Sequence, residues 1–175
     1  MTKEEIIITL EEKHRELFDL ILKEAEDFWM KAPEGKWTVG QHILHLVNAT
    51  KLLNKALSYP KFILKYKFGK ANRATRTYEA VAKRYQERLS QNLERARTFN
   101  QDLRVPALSE KTTLISQLEI ENKKFQAKTS KWKDKQLDTL LIPHPLMGKM
   151  IVREIIMWSA YHTEHHTNII KEHYL

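Results

Sequence analysis

Met150–His173 reads MIVREIIMWSAYHTEHHTNIIKEH, with no proline or glycine in it. At about 100° per residue, a line through Ile151, Val152, Ile155, Ser159, Ile169 and Ile170 passes over His162, His166 and His173, with His165 to one side. This spacing predicts a long helix whose apolar face carries two imidazoles one turn apart. Residues four apart stack on a helix, so His162 and His166 can converge on one ion. Read instead as ordinary core residues, each would need its own hydrogen-bond partner in a low-dielectric interior. A shared cation serves both.

Upstream of this helix, Leu140–Lys149 reads LLIPHPLMGK; two prolines and a glycine predict a loop, with His144 as its anchor. Thr2 followed by Glu5 is a capping box that opens a helix predicted to run to about Trp29, with Ile6, Ile7, Leu10, Leu17, Leu20, Ile21 and Phe28 on one face and His14 on a solvated flank. Ala32-Pro33-Glu34-Gly35 breaks the chain. A second helix is expected from Thr38 to about Ser58, ended by Pro60. Lys61–Phe68 fits either an irregular stretch or a short helix, and Gly69–Arg73 reads as a loop. A helix follows over Thr77–Leu89, and Val105-Pro106-Ala107 punctuates the chain. Another long helix is then capped by Ser109 and buries Leu114, Ile115, Leu118, Phe125 and Trp132.

These elements predict an all-α fold: an up-down four-helix bundle with one or two crossovers, plus an extra helix in the 60–106 region, as a single domain over residues 1–175. The composition agrees, since only 4 glycines and 5 prolines in 175 residues leave a hairpin-rich fold short of turns. There is no cysteine, which excludes disulfides, thiolate ligands and a cysteine nucleophile. No apolar run approaches the length of a membrane span, so a cytoplasmic, non-membrane protein is expected. The net charge is +8, but its basic residues spread over Lys61–Lys70, Arg73–Arg97 and Lys123–Lys135 among Glu, Gln and Asn. Such dispersal argues for solvated faces and against nucleic-acid binding.

A third metal ligand would come from the second helix, which offers His42 and His45. Against Val39, Ile43, Leu46, Leu53 and Leu57, His42 lies nearer the centre of the apolar face, and His45 lies toward its Leu52 and Ala56 edge. Spacing alone leans to His42. Three neutral imidazoles would leave the full charge on a divalent ion, an arrangement suited to catalysis, and nitrogen ligands of this kind suit zinc and nickel alike.

Two blocks resemble a known family. Trp37-Thr38-Val39-Gly40-Gln41-His42-Ile43-Leu44-His45-Leu46 is similar to the Trp-Ser/Thr start and following His-Leu pair of the DinB-like / YfiT-like superfamily of four-helix-bundle metalloenzymes. His144-Pro145-Leu146-Met147-Gly148-Lys149 and Tyr161-His162-Thr163-Glu164-His165-His166 resemble its His-Pro loop and terminal His-x-x-His-His. The resemblance implies that His45, not His42, joins His162 and His166 as the metal ligands. It also implies hydrolysis or transfer of a low-molecular-weight thiol to an electrophile as the reaction. Asn48 departs from the acidic residue common at its position and Ile169 from the usual Gln, so polar support around the metal is expected to differ. No catalytic base is assigned: Glu164 points away from the apolar line, Glu154 and Glu172 sit on its flank as solvated charges, and Tyr161 reads as packing. The alternative is a non-catalytic, metal-stabilised or ligand-binding bundle; a homodimer is compatible with either.

Overall fold

The computed structural model describes residues 1–175. Helix α1 (Lys3–Lys23) opens with the expected box, Thr2 Oγ1 accepting from the Glu5 amide and Glu5 returning the bond. It ends six residues before Trp29. A separate 3-10 turn, Glu26–Met30, swings Phe28 and Trp29 inward, where the Trp29 indole N–H reaches the carbonyls of Pro106 and Ala107. Those tertiary bonds, invisible to helical periodicity, explain the early stop. Helix α2 (Val39–Ser58) starts from a second capping box, Thr38 with Gln41.

The long connection that follows holds three helices: α3 (Lys61–Phe68), α4 (Tyr78–Gln91) and α5 (Leu93–Phe99). Helix α6 (Lys111–Ser130) begins one residue later than a Ser109 cap predicts, because Leu108–Glu110 forms a 3-10 turn. A short α7 (Asp134–Thr139) then leads to an antiparallel hairpin, β1 (Leu141–His144) and β2 (Gly148–Ile151), and to α8 (Val152–Tyr174).

The hairpin corrects the expectation of a plain loop. Pairing runs from Leu141↔Ile151 to His144↔Gly148, Gly148 taking the positive φ of 72° that the turn needs. Ile142 and His144 face inward while Pro143 is exposed on an edge, so the prolines cost no ladder bonds the ribbon needs.

Helices α1, α2, α6 and α8 form the bundle, with α1 and α2 at opposite corners, each between α6 and α8. Lys3 reaches the Trp132 carbonyl and Glu11 meets Gln126, so α1 and α6 are antiparallel. Arg153 approaches Met1 and Lys13 pairs with Glu164, making α1 and α8 parallel. Asn54 meets Glu121 and Ser58 meets Lys128, so α2 and α6 run the same way, which requires the long crossover through α3–α5.

Two apolar clusters fill the bundle. One gathers Phe125, Trp132, Ile155 and Trp158 with Leu53, Leu57 and the hairpin; the other gathers Trp29, Val39, Ile43, Leu118, Ile170 and Tyr174. Along α8 the first ends near Tyr161 and the second begins at Ile169. His162 and His166 occupy the seam. No helix is long and apolar enough to cross a membrane.

Candidate metal centre

The antiparallel α2 and α8 bring His45, His162 and His166 together, one ring nitrogen from each lying within 4.8 Å of the others. His45 Nε2 is 3.0 Å from His162 Nε2, which is 3.1 Å from His166 Nε2. His162 and His166 are buried and His45 is half-buried, so the cluster has one open side.

His42 lies in contact with the cluster but outside it. Its Nδ1 is 2.8 Å from His166 Nδ1 and its Nε2 is 3.0 Å from the Tyr174 hydroxyl, which donates to the Trp37 carbonyl at 2.6 Å. That carbonyl can only accept, so the single Tyr174 proton is committed to it. Tyr174 oxygen therefore accepts from His42 Nε2–H, neutral His42 accepts at Nδ1, and His166 donates from Nδ1. His166 Nε2 is left with a bare lone pair aimed at His162.

One proton on His162 Nε2 can serve only one of its two short N···N contacts with a linear bond. With His166 Nε2 bare, one of the two contacts is always left without a hydrogen bond, and if His162 Nε2 is also bare it faces His166 lone pair to lone pair. A cation bound among the three nitrogens removes that conflict, and all three rings are in the form that binds one. Burial, reinforced by the neighbouring imidazoles, holds His162 and His166 well below the usual histidine range. Burial likewise lowers His45 to about 4 and His42 to about 3. The residues present thus fit a divalent ion.

The surroundings are aromatic. Trp158 stacks on His162 at 4.6 Å and Tyr85 from α4 closes on both, while Trp37 stacks on His166 at 6.1 Å. His144 anchors its turn as expected, its Nδ1 accepting from the amides of Leu146 and Met147. Asn48 is exposed and Ile169 packs into the apolar cluster, so neither supports the site. Asn100, just past α5, lies beside His45 and favours its charged form. Sequence reasoning missed Tyr174 and Asn100. Tyr174 was within reach, lying eight residues and about two turns beyond His166 on the same face, whereas nothing local marks Asn100.

Three expectations fail. His173 is exposed, because the straight line drawn on α8 drifts off the core by its last turn. His14 is buried, its Nδ1–H bonded to the Leu10 carbonyl and its pKa lowered by burial to about 4. Glu154 is no solvated charge: it is 1% exposed and bound by Arg73 and Arg76 from the crossover, a partnership over some 80 residues that periodicity cannot show.

A helical bundle whose opposed helices present three converging histidine nitrogens belongs to the class of proteins able to hold a metal between helices. The chain is a member of the DinB superfamily, whose family pattern matches residues 9–170. No curated protein and no solved structure matches it.

Proposed function

We propose that His45, His162 and His166 bind one divalent ion, zinc or nickel, and that the chain is a metal-dependent enzyme of the hydrolase or thiol S-transferase type. The observation that carries this reading is the proton arrangement: His162 Nε2 lies 3.0 Å from His45 Nε2 and 3.1 Å from His166 Nε2, contacts that the protons of three neutral rings cannot both satisfy. An ion held by three neutral imidazoles keeps its full charge and, as a Lewis acid, lowers the pKa of a water or thiol. The chain's residues supply the rest. His42 and Tyr174 hold His166 in the ligating tautomer, and because their hydrogen bonds end on a carbonyl they fix a proton without relaying it. Trp37, Trp158 and Tyr85 exclude water from all but the His45 side.

Metal analysis by mass spectrometry, with circular dichroism as the check on folding, tests the site. Near-stoichiometric metal should be lost in His45→Ala and His162→Ala and retained, more weakly bound, in His42→Ala. Loaded protein then enters hydrolysis and thiol-transfer assays. A wild-type protein that takes up no zinc or nickel after reconstitution overturns the reading. One feature favours a structural share for the ion: α2 and α8 meet less extensively than α2 and α6 or α1 and α8, and the triad spans that pair.

A further inference from the structure

A second cluster of charge lies away from the histidines, where α4, β2 and the start of α8 enclose a cavity of about 90 Å³. Its charged lining is Arg73, Arg76, Arg84, Lys149 and Glu154. Four cations thus face one carboxylate, and that carboxylate is already saturated. Glu154 Oε1 accepts from Arg73 Nη1 at 2.5 Å and from the Arg76 amide at 2.8 Å, and Oε2 accepts from Arg73 Nη2 at 2.7 Å and from Arg76 Nη1 at 3.2 Å. Glu154 therefore holds two guanidinium groups in place and has nothing left for a third. The Arg84 side chain makes no ion pair and no hydrogen bond within the chain, and the Lys149 ammonium reaches only the Phe68 carbonyl.

Partial burial and the repulsion of Arg76, Arg88 and Arg73 all disfavour the Arg84 cation where it sits. Surface arginines ordinarily escape such an arrangement by pointing into water. Here the guanidinium instead lines a partly open cavity far larger than the ~10–15 Å³ a single water needs. The Arg73 fork is taken up by Glu154 and the Ala74 carbonyl, but Arg76 Nη2, the remaining Lys149 N–H groups and the whole Arg84 guanidinium keep donors free, a set that suits the several acceptor oxygens of a tetrahedral oxyanion. The cavity is too small for a nucleoside, so only an oxyanion head would fit inside it.

We infer that this cavity is a binding site for a phosphate group, either inorganic phosphate or the terminal group of a phosphate monoester, with Arg84 as the residue that completes it. The site is separate from the histidine triad and does not depend on the metal reading.

Isothermal titration of the full chain with inorganic phosphate, in a low-salt buffer free of competing oxyanions, tests it. Wild type should bind phosphate saturably at one site. Arg84→Gln should weaken binding by about tenfold or more through the loss of one charge-assisted contact. Arg88→Gln, a turn further along α4 and outside the cavity, should bind like wild type. His162→Ala should also retain binding, which separates this site from phosphate captured by a metal. Phenyl phosphate binding as tightly as inorganic phosphate identifies a monoester head as the occupant, and its exclusion identifies the free ion. Absence of saturable binding in wild type, equal affinity in Arg84→Gln, or loss of binding in His162→Ala overturns the assignment.

Discussion

Tyr174 sits one residue from the end of the described chain, yet its hydroxyl sets the proton positions of two histidines. Replacing it with Phe keeps the ring in the second apolar cluster but removes the one donor to the Trp37 carbonyl and the one acceptor for His42 Nε2–H. One buried and one partly buried polar group lose their partner, a cost of about 1–3 kcal/mol. His42 is also freed to flip its tautomer, which lets His166 carry its proton on Nε2 and oppose an ion. Tyr174→Phe should therefore keep its helicity, unfold at a lower temperature, and bind zinc about 10- to 100-fold more weakly in competition with a chromophoric chelator. An unchanged affinity would mean that His166 is held by its packing alone. At this scale the sequence was partly readable: the i, i+4 pair on α8 follows from spacing. The choice between His42 and His45 does not, because both project toward the core from adjacent arcs of α2 and only the approach of α8 separates them.

At the scale of elements, the contacts that fix the crossover are ion pairs between distant segments. Arg153 on α8 binds Asp134 and Asp138 of α7, and Glu154 beside it binds Arg73 and Arg76 at the entry to α4. Burial alone would raise the Glu154 pKa, but the Arg73 guanidinium and the Arg76 amide outweigh it and leave the carboxyl below its ordinary value of 4.5. A carboxylate depressed on folding adds stability that is complete above its unfolded pKa and lost as pH falls through the folded one. Glu154→Gln should thus cost about 2–3 kcal/mol at pH 7, less than breaking a fully buried pair, because both arginines remain about one-third exposed. In urea unfolding, the gap between wild type and variant should narrow as the pH is lowered through and below the ordinary carboxylate range. A gap independent of pH would show that packing around Glu154, and not its charge, carries the effect. The same contacts mark where sequence reading stopped. Amphipathic periodicity revealed α1, α2, α6 and α8, whereas α3, the 3-10 turn at Trp29 and the hairpin depend on partners far along the chain. Gly40 shows the same limit: a Cβ there would lie 2.6 Å from the Trp29 ring, a close approach that the surrounding helical pattern does not announce.

For the whole molecule, the triad lies at the seam between two apolar clusters, each with its own large buried side chains. Neither cluster needs the histidines to exclude water, so the bundle has the means to stay folded without a metal. What the ion would add is a direct tie between α2 and α8 at their least extensive packing. An ion that binds only the folded state stabilises it by mass action, about 4 kcal/mol at a free concentration a thousand times its Kd. Chelator treatment should accordingly lower the melting temperature while leaving the far-ultraviolet helical signal intact at 25 °C. In hydrogen exchange, amides of α2 around His45 and of α8 around His162–His166 should lose protection on metal removal, while those of α6 and of α1 near Leu10 hold theirs. His45→Ala should exchange like the chelated wild type whether or not zinc is added. Global loss of protection on chelation would instead make the ion part of the fold itself, moving the balance from a catalytic to a structural centre.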